Sequence, residues 1–126
     1  MKTRITALIC ICVLVAALVS ACGSKRFAVE NATRIEVQSG TTGERVIIDD
    51  AAQVRTVTQM FADKDFARKG SAKGTTGWGY RLTFYADAKI TEEFFLMSNG
   101  IIDCNGAFYE SGDTPNVAFF DALFDL

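Results

Sequence analysis

The side chains able to do chemistry are few, and one type is missing altogether. The 126-residue chain has no histidine, which excludes Ser-His-Asp and Cys-His catalysis, HExxH zinc sites and any imidazole proton relay. Carboxylates occur as two adjacent pairs, Asp49-Asp50 and Glu92-Glu93. Catalysis by paired acids needs two carboxyls converging across one bond. Neighbours in a strand point to opposite faces, and an aspartate opening a helix has an ordinary capping role, so both pairs read as structural or solvated. Asp63-Lys64-Asp65 starts like a calcium loop, but Ala67 and Arg68 stand where an oxygen ligand and the turn glycine belong. Gly70-Ser71-Ala72-Lys73-Gly74-Thr75 has the composition of a phosphate loop in the wrong order, with a strand expected after it rather than a helix. No metal or cofactor site is expected.

What remains is a basic stretch beside a tryptophan. Lys64, Arg68, Lys69, Lys73 and Arg81 flank Trp78 in a segment rich in glycine. Backbone N–H groups of such a loop, with several cations, can hold an anionic group, and Trp78 can stack on a sugar or an aromatic ring. Trp78, Arg81, Lys73 and Lys69 are therefore the candidate ligand-binding residues. The competing reading has Trp78 anchoring the start of a core strand while the lysines solubilise a loop. Cys104 sits next to Asp103 and lacks the positive surroundings that activate a thiol. It reads as a packed, inert thiol, with an intermolecular disulfide as its alternative.

The amino terminus reads as an address. Lys2 and Arg4 precede an apolar run from Ile5 to Val19 broken only by Thr6, the layout of a secretory signal. The run is short for a membrane span, which wants about 20 apolar residues. Leu18-Val19-Ser20-Ala21-Cys22 resembles the lipobox of bacterial lipoproteins: an aliphatic residue, two small residues and a cysteine. The resemblance implies cleavage before Cys22 and acylation of that residue. The bilayer would then be the first partner, held through palmitate-like chains that each contribute about 0.8 kcal/mol per buried methylene. An uncleaved anchor helix or an ordinary secretory signal is the alternative. In an organism with two membranes, the family pattern reserves aspartate after the cysteine for inner-membrane retention, so Gly23 is compatible with the outer membrane.

Processing changes the arithmetic. Removing residues 1–21 leaves 105 of 126, and 13 basic residues become 11 against 15 acidic ones, a formal charge of −4. Nucleic acid is an unsuitable partner for that surplus. Cys10 and Cys12 leave with the leader and Cys22 is blocked, so Cys104 has no intramolecular partner. The domain must rely on apolar packing, and Trp78, three tyrosines and ten phenylalanines supply it.

These residues need elements to position them. Residues 22–32 read as a lipidated tether, with Lys25 and Arg26 close enough to the bilayer to meet anionic phosphates. Residues 33–126 read as one α+β domain. Arg34 to Gln38 and Glu44 to Ile48 alternate or are β-branched around Ser39–Gly43, predicting a hairpin. Asp50 caps a helix, with Gln53 three residues on and Ala51, Val54, Val57, Thr58 and Phe61 on one face, ending near Asp63 to Phe66. Gly70 to Gly79 reads as a loop. Tyr80–Ala86, Ile90–Met97, Ile101–Cys104 and Ala107–Glu110 predict an antiparallel meander, with turns at Asp87–Lys89, Ser98–Gly100 and Asn105-Gly106. Thr114 and Pro115 open a final, strongly apolar helix. The expected order is ββαββ(ββ)α, a sheet of five or six strands with two helices. The expected function is that of an exported, membrane-anchored lipoprotein, a non-enzymatic module binding an envelope protein or a small anionic ligand. The alternative is a small carboxylate- or thiol-dependent envelope enzyme.

Overall fold

The computed structural model describes residues 23–71 and 78–124. Among the described residues the fold is α+β, with two helices and an antiparallel sheet. In chain order the strands are β1 (Ser24–Lys25), β2 (Arg34–Ser39), β3 (Arg45–Ile48), β4 (Phe66–Ser71), β5 (Tyr80–Ala86), β6 (Lys89–Leu96), β7 (Ile102–Cys104) and β8 (Ala107–Glu110). Helix α1 (Ala51–Phe61) lies between β3 and β4, and α2 (Val117–Leu123) follows β8. The spatial order is β1-β4-β8-β7-β6-β5-β2-β3, antiparallel at every step.

Local chemistry explains the elements that sequence anticipates. Asn105 and Gly106 both have positive φ, 51° and 81°, the type I′ geometry whose twist matches that of a two-residue hairpin. Ser39, almost fully buried, ends β2 and accepts hydrogen bonds from the N–H groups of Thr41 and Thr42. Gly43, at φ 76°, returns the chain to β3. Asp50 accepts from the Gln53 N–H at 3.0 Å and caps α1. That helix buries Val54, Val57, Thr58 and Phe61, the three- and four-residue steps of one face.

Several expectations need correction. The sheet has eight strands rather than five or six, because β1 and β4 are additional. Helix α1 stops at Phe61: the Ala62 N–H closes on Thr58 O, and Asp63 takes a left-handed φ of 55°. Phe66 therefore begins β4 instead of ending the helix, and Gly70 and Ser71 belong to that strand rather than to a loop. Residues 24–29 are built into the fold rather than a free tether: Ser24 and Lys25 pair with Ala67 and Phe66, and Phe27 and Val29 are fully buried. Thr114 does not cap α2, whose N-cap is Asn116 with no side-chain bond. Pro115 is buried ahead of the helix.

The core lies on one face of the sheet. Ile35 and Val37 of β2, Leu82 and Phe84 of β5, Phe94 and Leu96 of β6 and Ile102 of β7 all point there. Phe61 reaches down from α1 into a cluster of rings, 5.0 Å from Phe94 and 6.1 Å from Phe84. Phe27 sits 4.7 Å from Phe94 and 5.0 Å edge-on to Phe66. Such pairs contribute about 0.5–1.5 kcal/mol each beyond the area they bury. On the same face α2 docks through Phe120, fully buried, beside Tyr80. Among the described residues no helix is long and apolar enough to cross a membrane.

Candidate functional site

With both helices and the 27–29 segment on one face, the other face of the sheet carries its own alternating set. Its main row follows the strand register. Arg45 on β3 stands opposite Gln38 on β2, then Arg81 on β5, Phe95 on β6, Asp103 on β7 and Phe108 on β8. Alternation along each strand fixes this: Arg81 lies between the buried Tyr80 and Leu82, and Phe95 between Phe94 and Leu96. The next row holds Ile47, Glu36, Thr83 and Glu93. Ile47 is half exposed at 51%.

Polar groups on this face tie the strands together. Arg81 donates to the Gln38 side-chain oxygen, and Gln38 in turn donates to Gly43 O. Thr83 donates to Glu93 at 2.7 Å. Glu36 takes Arg45 at 3.3 Å and the Tyr85 hydroxyl at 3.5 Å, while the Arg34 guanidinium lies 4.2 Å from the Tyr85 ring centre. The side-chain contacts between strands are cross-strand pairs of the kind that adds a few tenths to about 1 kcal/mol each.

Trp78 enters just before β5. Its ring lies 5.1 Å from Phe95, tilted by 52°. Its backbone is pinned by close approach to the β2–β3 turn: the Gly40 N–H donates to Gly79 O at 2.8 Å, and a Cβ on Gly40 would fall on the Trp78 carbonyl oxygen. Trp78 and Arg81 are thus brought together on the open face, around Phe95. Lys69 is not with them. It lies on β4, four strands from β5 and so about 19 Å away at ordinary strand spacing, and it pairs with Glu110 at 3.7 Å. Lys73 lies outside the described residues. Phe95, Asp103 and Phe108 complete the surface that contains Trp78 and Arg81; the unbroken apolar run Phe94–Met97 does not single out Phe95, and Asp103 and Phe108 join only through pairing of β6 with β7 and of β7 with β8.

Elsewhere, a cleft of about 360 Å³ opens between residues 30–33 and α1. Glu30, Asp49 and Arg55 line it with Ala32, Val54 and Thr58. Sequence gave no sign of it, since it is formed by a connecting segment laid along a helix.

The reactive-group candidates separate as strand geometry requires. Glu93 is bonded to Thr83 on the open face, whereas Glu92 turns to the other side and accepts the Ala28 N–H at 3.1 Å. Cys104 is 2% exposed, unpaired, and directs its Sγ toward Glu93 O. Burial holds its thiol above the ordinary range, with Glu92 and Asp103 adding to the effect and Lys25 opposing it. On α2, Asp121 accepts the Tyr80 hydroxyl, and burial together with this bond holds that hydroxyl far above its ordinary range. Among the described residues no group of three or more Cys, Asp or Glu is placed to hold a metal.

No protein-family model matches the chain, and neither a curated protein nor a solved structure matches it.

Proposed function

We propose that the protein is a membrane-anchored, exported lipoprotein whose domain is a binding module rather than an enzyme. The anchor is read from Val19-Ser20-Ala21-Cys22. The binding role is carried by one observation: the sheet face that both helices leave open bears Trp78 on Phe95 beside Arg81. Tryptophan, tyrosine and arginine are the side chains that most often dominate interface energetics, and here strand pairing holds them in place before a partner arrives. The separation of Lys69 from Arg81 disfavours a compact anionic pocket and favours a broader contact, such as an envelope protein. Burial of Cys104 works against the thiol-enzyme alternative, because the thiolate is the nucleophile.

Two measurements test the two halves. For the anchor, mass analysis of the chain from cell membranes should find residue 22 acylated and the leader removed, and Cys22→Ser should abolish acylation and leave the leader uncleaved. For the module, a photo-reactive side chain at Phe108 should cross-link a discrete envelope protein, whereas one at Gln59 on the exposed side of α1 should not. Trp78→Ala with Arg81→Ala should remove that product. Equal background from both positions would reject the binding face.

A further inference from the structure

We propose that the β1–β4 edge of the sheet is a docking surface for an anionic bilayer, so that the domain stands on the membrane by a defined edge. This rests on the reading of Cys22 as the acylated residue.

Two independent observations carry it. The first is how close residue 22 stands to the sheet along the chain. Gly23 alone separates residue 22 from β1, and β1 is the outermost strand, paired through Ser24 with Ala67 and through Lys25 with Phe66. Two peptide steps place the residue-22 Cα at most about 8 Å from that of Ser24. Phe27 and Val29 then lock the segment into the core, so no slack lies between an acyl anchor and the sheet. An anchor there brings this edge to the headgroups.

The second is charge. Segments 24–26 and 63–71 hold Lys25, Arg26, Lys64, Arg68 and Lys69 against Asp63 and Asp65, a surplus of three positive charges. The rest of the described chain has five basic and twelve acidic residues, a deficit of seven. Asp65 engages Arg26 at 2.8 Å, Glu110 on β8 engages Lys69, and the Lys25 ammonium lies 5.6 Å from the Phe27 ring centre, which leaves Lys64 and Arg68 as the cations most available to a surface. Lys64 and Arg68 form no ion pair among the described residues, and Arg68 and Lys69 are exposed. A negative surface attracts this edge and repels the remainder. Basic groups act only within about a Debye length of headgroups, roughly 10 Å at about 0.1 M salt, and the short anchor keeps them inside that range.

The test uses the acylated full-length protein in vesicles of phosphatidylcholine alone or with about one-third phosphatidylglycerol. A fluorophore is placed on Ala67→Cys at the β1–β4 edge, or on Ile47→Cys at the β3 edge, and quenched by headgroup-labelled lipid. Quenching at position 67 should exceed that at 47, rise with phosphatidylglycerol and fall as salt is added. Lys64→Glu with Arg68→Glu should reduce the ratio of docked to undocked protein by about 10- to 100-fold, following the contribution of each basic residue near a charged surface. The unmodified protein in added salt gives the same reading without a substitution. Equal quenching at the two positions, or indifference to lipid charge and salt, overturns the docking. So does quenching that varies with protein density instead of lipid charge, which would indicate strand pairing between copies. Mass analysis of residue 22 separates the causes: a bare thiol removes the anchor and the docking together, whereas intact acylation with an undocked edge removes the docking alone.

Discussion

Tyr80 joins α2 to the sheet through Asp121, and its hydroxyl is the most perturbed acid in the described chain. In the unfolded chain a tyrosine ionises near pH 10; in the fold the proton is held to higher pH. The resulting stability is fully present below about pH 10 and is lost as pH rises through the alkaline range beyond it. Denaturant midpoints measured up to about pH 11 should therefore fall steeply, and Tyr80→Phe should flatten that fall. Cys104 gives a second reading of burial. Iodoacetamide near neutral pH should label it more slowly than a free thiol, and denaturant should restore the ordinary rate. Gly40 is required by proximity, since a methyl there meets the Trp78 carbonyl and, at 2.9 Å, its ring. Gly40→Ala should cost about 1–3 kcal/mol and shift the emission of the single tryptophan as the ring leaves Phe95.

At the scale of elements, legibility followed side-chain pattern. Tyr80–Ala86, Ala107–Glu110 and the Asp50-capped start of α1 announce themselves through alternation, glycine turns and a cap. β1 and β4 do not. Phe-Ala-Arg-Lys-Gly-Ser has neither alternation nor β-branching, and it is a strand because β8 and β1 supply hydrogen bonds on both sides while Phe66 fills the core. That information is long-range, outside what a local reading of propensity contains. Phe27 is illegible for the same reason: one aromatic in a polar stretch looks like a linker until Phe66 and Phe94 are beside it. Phe27→Ala should accordingly destabilise the domain by about 3–5 kcal/mol, as for other buried phenylalanines, measurable as a lowered denaturant midpoint. A free linker would show no change. The site was legible in part. Trp78 and Arg81 are close in sequence, but it is Phe95, packed against Trp78 and paired with Arg81, that brings them to one face, and Lys69, also close in sequence, is carried to the opposite side of the meander.

For the whole molecule, the two helices act as a single cover. Deleting residues 114–126 uncovers Tyr80 and removes Phe120, both core members, so the truncated chain should lose cooperative unfolding by circular dichroism rather than fold without its last helix. That one-sidedness has a further consequence for a sheet standing on its β1 edge. Eight strands leave seven gaps, which at ordinary spacing give a height of about 33 Å from foot to top. An upright wall of that kind presents its bare side along the membrane plane, not outward into the surrounding space. Whatever meets Trp78 and Arg81 must then arrive laterally, as a neighbour rooted in or lying on the same bilayer and tall enough to reach β5, five gaps or about 24 Å above the foot.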